Sequence, residues 1–90
     1  MKQVDWNPDK NAWLIKERGV CFEDILFCLE NEEILDNIDH PNQIKHKGQK
    51  LLVVAINDYV YLVPNVENEH EMFLKTIIPS RKATKKYLGL

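Results

Sequence analysis

Residues 51–63, LLVVAINDYVYLV, decide the fold. Leu51 to Ile56 form a continuous apolar run, which is typical of a central strand covered on both faces. Asn57-Asp58 predicts a tight hairpin turn, and Tyr59 to Val63 predicts the returning strand. Pro64 lacks the N–H that a sheet ladder needs, so we expect the far end of this strand to lie at a sheet edge or a bulge.

Two helices are predicted before this hairpin. Asn7 and Pro8 form a helix start signal, and the first helix runs to about Arg18 and stops at Gly19. The second helix begins near Phe22, where apolar residues at i, i+3, i+4 and i+7 share one face. These residues are Phe22, Ile25, Leu26 and Leu29.

The remaining elements complete the order. Short strands are expected at Val4 to Trp6 and Ile34 to Ile38, and a longer one at Met72 to Ile78 after a polar loop at Asn65 to Glu71. Pro79 ends that last strand, and Ser80 caps a final helix. This order predicts a single α+β domain over residues 1–90, with an antiparallel sheet of about four strands, two N-terminal helices and one C-terminal helix.

The charges are segregated along the chain, although the formal net charge is only −2. Acids dominate residues 17–39, where Arg18 is the one cation. Residues 45–50 and 75–90 contain cations and no acid. We therefore expect a basic face that suits nucleic acid, and an acidic face that meets a basic partner or solvent.

Cysteine usage and apolar run lengths predict a cytoplasmic protein that is not inserted in a membrane. No run approaches the roughly 20 apolar residues of a membrane span, and the sequence after Met1 lacks the pattern of a signal peptide. Cys21 and Cys28 lie two helical turns apart, too far for a direct bridge. We expect both to be reduced, with Cys28 as a small core residue.

The C-terminal stretch, IIPSRKATKKYLGL (77–90), places cations at the start of a helix. The helix dipole is positive there, so the arrangement is unfavourable unless an anion binds at the same place. Free N–H groups beside Arg81 and Lys82 form the kind of site that binds phosphate. The alternative is a solvated helix whose charges serve only solubility.

Both ends of the chain resemble one protein family. VDWNPDKNAWLIKERGVCFEDI (4–25) resembles the N-terminal signature of the BrnT toxins of bacterial type II toxin–antitoxin systems, and IIPSRKATKKY (77–87) resembles their closing motif. The chain departs from the family pattern at Glu17-Arg18, at Cys21, at Lys50 and at Lys85-Lys86. In the family these places commonly hold Lys-His, Ser, an Arg and an acid.

The resemblance implies a RelE-like fold and a ribonuclease that blocks translation. It also implies a cognate antitoxin as partner, and contact with operator DNA only through that antitoxin. Metal-independent RNA cleavage by the ribose 2′-OH needs a base, cations for the phosphorane and an acid for the leaving oxygen.

Candidate site residues follow from these requirements. Arg81, Lys82 and Lys50 are predicted to hold the phosphate, and His46 is the best acid–base candidate because imidazole titrates near neutral pH. Further RNA contacts are predicted at Lys45, Lys47, Lys85 and Lys86. His40 and Tyr87 are possible substitutes for His46, although Tyr87 is better explained by packing. The His and Cys spacing predicts no metal site, and no cofactor is expected.

Alternatives remain for the function and for single residues. The same fold without catalysis would be an RNA- or protein-binding module, and a purely structural domain could dock a partner through the acidic second helix. His46 could be a plain solvated histidine. Trp6 and Trp13 could stack on bases, but they are better explained as core.

Overall fold

The computed structural model describes residues 2–89 and confirms the α+β class. Its elements are β1 (Gln3–Trp6), α1 (Pro8–Arg18), α2 (Phe22–Glu30), β2 (Asp36–Asp39), β3 (Lys50–Ile56), β4 (Tyr59–Glu67), β5 (Glu71–Leu74), β6 (Ile78–Pro79) and α3 (Arg81–Leu88). The three predicted helices are present. The sheet has six strands instead of about four.

The sheet is mixed and is built around the predicted hairpin. Its order is β1-β5-β4-β3-β2, and β6 also pairs with β4. All pairs are antiparallel except β1 with β5, which is parallel. Asn57 and Asp58 both have positive φ, 53° and 63°, as a tight two-residue hairpin turn requires.

A β-bulge splits the strand that was predicted over Met72 to Ile78. Leu74 pairs with Asn65 while Ile78 pairs with Leu62, so three residues on one strand oppose two on the other. The extra residue reverses the side-chain alternation, which buries Ile77 and leaves Ile78 40% exposed. Pro64 lies opposite this bulge, as expected, but β4 continues beyond it to Glu67.

The two faces of the sheet carry different layers because strand side chains alternate. In β3, Leu52 and Val54 belong to the main core, which α1 and α2 cover. Val53 belongs to a second cluster with Val60 and Ala83 on the face that carries α3. We call these the α1/α2 face and the α3 face.

Local signals explain the helix layer. Asn7 Oδ1 accepts from Asp9 N at 2.8 Å, and Gly19 ends α1 with a left-handed φ of 67°. Cys28 is a buried free thiol, as predicted. Trp6 packs on this core and stacks on Phe22.

Trp13 is not a core residue. It is 41% exposed, with Lys10 Nζ 4.1 Å from its ring centroid. Its interpretation as core was wrong because α1 turns only a narrow stripe, centred on Asn11 and Leu14, toward the sheet.

Thr84 fixes α3 to the sheet, and its replacement tests that attachment. Its Oγ1 accepts from Val60 N at 2.9 Å and donates to Ser80 O at 2.7 Å. Thr84→Val keeps the shape but leaves the buried Val60 N–H without a partner. We expect it to lower the free energy of unfolding by about 1–3 kcal/mol, measured by chemical denaturation.

Thr76→Val is the matched control for that substitution. The buried Thr76 hydroxyl has no hydrogen-bond partner among residues 2–89, so its removal should be neutral or stabilising. Equal losses of stability in both variants would contradict the role given to Thr84.

Candidate functional site

A groove lies beside α3 on the α3 face of the sheet. Its volume is about 190 Å³. The floor is apolar and is formed by Ile38, Leu51, Val53, Leu62 and Ala83. Lys82, Lys86 and Tyr87 of α3 line one side, and Pro41, at the start of the loop 40–49, lines the other. The groove therefore combines an apolar surface with two ammonium groups.

The cations of α3 divide between two flanks of the helix. Lys82 and Lys86 are one turn apart and border the groove. Arg81 and Lys85 are exposed on the same helix but do not line the groove. The helix begins as predicted, because Ser80 Oγ accepts from Ala83 N at 3.0 Å.

Tyr87 and Asp36 form a hydrogen-bonded pair at this groove. Tyr87 Oη donates to Asp36 Oδ2 at 2.9 Å. This hydrogen bond, with partial loss of solvation and the carboxylate charge, raises the pKa of Tyr87 above its ordinary value of 10.0. The phenol therefore keeps its proton at neutral pH. Tyr87 also packs α3 on the sheet, as expected.

The loop 40–49 is held in one conformation by its own hydrogen bonds. His40 N donates to Gln49 O at 2.9 Å, which joins the two ends of the loop. Gln43 Nε2 donates to the carbonyls of His40 and Gln49, and Gln43 Oε1 accepts from Gly48 N. Lys45 and Lys47 are exposed on this loop, and Pro41 near its start borders the groove.

The His46 ring packs against the His40 ring inside this loop, with an angle of 33° between the ring planes. Their ring centroids are 4.1 Å apart. Loss of solvation lowers the pKa of His46 below its ordinary 6.5, and His40, Lys45 and Lys75 lower it further in that order. The ring is therefore neutral at pH 7 and can accept a proton.

The loop should loosen in mild acid. The folded loop binds a proton on His46 less tightly than the open loop does. The stability of the folded loop therefore has its full value above pH 6.5 and falls as the pH drops toward the lowered pKa of His46. We expect the amide protection factor of Gln49 to fall between pH 7 and pH 5.

A substitution of His46 separates this effect from general acid sensitivity. His46→Phe keeps a ring on His40 but carries no titrating proton, so the protection factor should depend less on pH than in the parent. Identical pH profiles for the two proteins would show that His46 does not control the loop.

Lys50 lies away from the groove. It pairs in register with Asn65, and Asn65 shares the α1/α2 face with Val63, so Lys50 points to that face. Its Nζ is 4.0 Å from Glu67 Oε1, and Lys2 Nζ is 2.7 Å from Glu67 Oε2. The structure thus brings Lys82 and Lys86 together but does not bring Lys50 to them.

The sheet also separates much of the charge. The acids of α2, among them Glu23 and Glu30, lie on the α1/α2 side, and α3 carries four cations and no acid on the other side.

Sequence reasoning missed Asp36, Ile38 and Pro41 as parts of the site. The one available signal was the alternation within the predicted strand at 34–38, which places Asp36 and Ile38 on one face.

No family model, no curated protein and no solved structure matches this chain. Within residues 2–89, none of the helices has the length and apolarity to cross a bilayer.

Proposed function

We propose that this chain is the toxin of a bacterial type II toxin–antitoxin system, a BrnT-like protein with a RelE-like fold that cleaves RNA in the cytoplasm without a metal. The sequence support is the pair of motifs at 4–25 and 77–87. The observation that carries the proposal is the groove, in which Lys82 and Lys86 line one side of an apolar surface and Pro41 of the basic loop 40–49 lines the other. Such a groove takes a base on its floor and a phosphate at its ammonium groups.

The proposed reaction is attack by a ribose 2′-oxygen on the adjacent phosphorus. The 2′-O–P bond forms, the P–O5′ bond breaks, and the products carry a 2′,3′-cyclic phosphate and a 5′-hydroxyl. Lys82 and Lys86 stabilise the negative charge of the phosphorane, and Arg81 adds charge at the start of α3.

Two proton transfers accompany the attack. His46 accepts the 2′-OH proton, for which its lowered pKa keeps it neutral at pH 7. Tyr87 donates its O–H proton to the leaving 5′-oxygen, for which this proton turns away from Asp36 Oδ2. Tyr87 lines the groove, whereas His46 is outside its lining, on the loop whose Pro41 borders the groove.

A cognate antitoxin would cover the same face. The apolar floor, with exposed Ile38 and Ile78 on the α3 face, suits apolar side chains of a partner, and Lys82 and Lys86 suit its acids. Operator DNA is then contacted through the antitoxin and not through this chain.

A second candidate function is a non-catalytic RNA- or protein-binding module of the same fold. It is favoured by the separation of Lys50 from the groove and by the engagement of His46 with His40. This module would bind RNA without cleaving it.

Expression in bacteria tests the proposal. The chain is induced alone, together with its neighbouring open reading frame, and as Arg81→Ala, while growth and bulk RNA are followed. We expect growth arrest with RNA loss from the parent, relief by the neighbouring gene product, and partial relief by Arg81→Ala, because Arg81 is at the start of α3 outside the groove lining; the double variant Lys82→Gln, Lys86→Gln should relieve the arrest more completely. Normal growth with soluble, folded parent protein would favour the binding module.

A further inference from the structure

Ile44 is a fully exposed apolar side chain on the loop 40–49. It is 99% exposed, whereas the other exposed large hydrophobic side chains among residues 2–89 are between 38% and 60% exposed. Its whole side chain is thus available for burial by a ligand. Burial of this side chain by a ligand would strengthen binding, because its apolar surface would leave water.

The backbone on both sides of Ile44 is already ordered. Asn42 Oδ1 accepts from Lys45 N at 3.1 Å, and His46 N donates to Asn42 O at 2.9 Å, so one turn encloses Ile44. Gly48, with φ 76°, makes the return toward β3. A ligand that contacts Ile44 therefore does not have to order the loop.

The surroundings of Ile44 indicate what the ligand is. Lys45 and Lys47 follow it and are exposed, and the start of the same loop borders the groove with Lys82 and Lys86. A single strand of RNA presents a base face beside every phosphate, which matches an apolar tip next to lysines. A carboxylate-rich protein surface provides the charge but no regularly placed flat apolar neighbour.

We propose that Ile44 packs against an unstacked base of single-stranded RNA while Lys45 and Lys47 contact the adjacent phosphates, so that the loop holds the strand outside the groove. This inference rests on the proposed function, because it takes the ligand of the groove to be RNA. It adds a contact that positions the substrate and does not take part in bond cleavage.

The test uses RNA that the protein cannot cleave. Binding of mixed-sequence 2′-O-methyl oligoribonucleotides is measured by fluorescence anisotropy over a range of salt concentrations. Ile44→Ala should weaken binding about fivefold, with an unchanged dependence on salt, because an apolar contact releases no counterions. Lys47→Gln should reduce the slope of log K against log salt by about 0.7, the value for one phosphate of a single strand.

Two further variants make the result specific. Ile44→Leu keeps an apolar tip and should bind nearly as well as the parent. Ile15→Ala is the matched control, because Ile15 is 55% exposed on α1, on the other side of the sheet, and its loss should leave RNA binding unchanged.

The outcomes separate this inference from the proposed function. RNA binding by the parent that Ile44→Ala leaves intact would overturn the role of Ile44 and leave the groove as the RNA site. Failure of the parent to bind any RNA would overturn both. Loss of rescue by the neighbouring gene product in Ile44→Ala, with RNA binding unchanged, would overturn the inference and assign the loop to a protein partner.

Discussion

Replacing Lys82 and Lys86 together by glutamine should lower RNA cleavage by the purified protein about 100-fold or more. Both ammonium groups border the groove, and loss of a single donor that stabilises transition-state charge typically costs about 10²–10³ in rate. Glutamine retains much of the length and polarity of lysine, and both residues are exposed on α3. The fold should therefore be unaffected. Initial rates on a labelled RNA measure the change.

Lys2→Gln together with Lys50→Gln is the control for this double variant. It removes the same number of charges, but from the α1/α2 face, where both lysines approach Glu67. Its cleavage rate should stay within about twofold of the parent, since distant exposed charges are largely screened. Equal losses from both double variants would mean that net charge matters and the groove does not. A loss from the control alone would restore Lys50 to the catalytic role that sequence reasoning gave it.

Phe22→Ala should lower the free energy of unfolding by about 3–5 kcal/mol. Phe22 is fully buried, opens α2 and stacks on Trp6 with ring centroids 5.6 Å apart. Truncation leaves a cavity between α2 and β1 that rigid neighbours fill only in part. Domains of this size have a free energy of unfolding of about 5–15 kcal/mol, so the variant loses a large part of it. Urea denaturation followed by circular dichroism measures the loss.

Phe27→Ala provides the comparison on the same helix. Phe27 is 60% exposed, so its truncation should change stability by no more than about 0.5 kcal/mol. If Phe22→Ala and Phe27→Ala are equally stable, α2 does not pack as described.

Local signals in the sequence were sufficient for most of the fold. The cap at Asn7, the stop at Gly19 and the cap at Ser80 each act within a few residues, and α1 begins and ends, and α3 begins, where these signals lie. The two-residue turn at Asn57-Asp58 is equally local, and the register of the β3–β4 hairpin follows from it.

The remaining features of the fold depend on contacts between distant residues. The parallel pairing of β1 with β5 joins residues 3–6 to residues 71–74, and no local signal selects that partner. The bulge after Leu74 follows from the pairing of both β5 and β6 with β4, which period-2 alternation cannot reveal. The strand predicted over Met72 to Ile78 was therefore too long, because it is divided into β5 and β6.

The candidate site was predicted in part for the same reason. The start of α3 is set by the Ser80 cap, and Lys82 and Lys86 are four residues apart on this helix. Their position on the same side of the helix therefore follows from the sequence. Tyr87 and Asp36 are 51 residues apart, and only the docking of α3 on the sheet joins them. Lys50 is the first residue of β3, and whether its side chain shares a face with the α3 lysines depends on which face of the sheet α3 covers.

The proposed cleavage of RNA by attack of the 2′-hydroxyl is tested most directly by the chemistry of the products. Purified parent and the Lys82→Gln, Lys86→Gln double variant are incubated with one RNA and with its 2′-O-methyl counterpart, in the presence of a chelator. We predict that the parent cuts only the unmodified RNA and leaves 2′,3′-cyclic phosphate ends, and that the double variant is nearly inactive. Binding of both oligonucleotides without cleavage of either, or equal cleavage by parent and variant, would contradict the account.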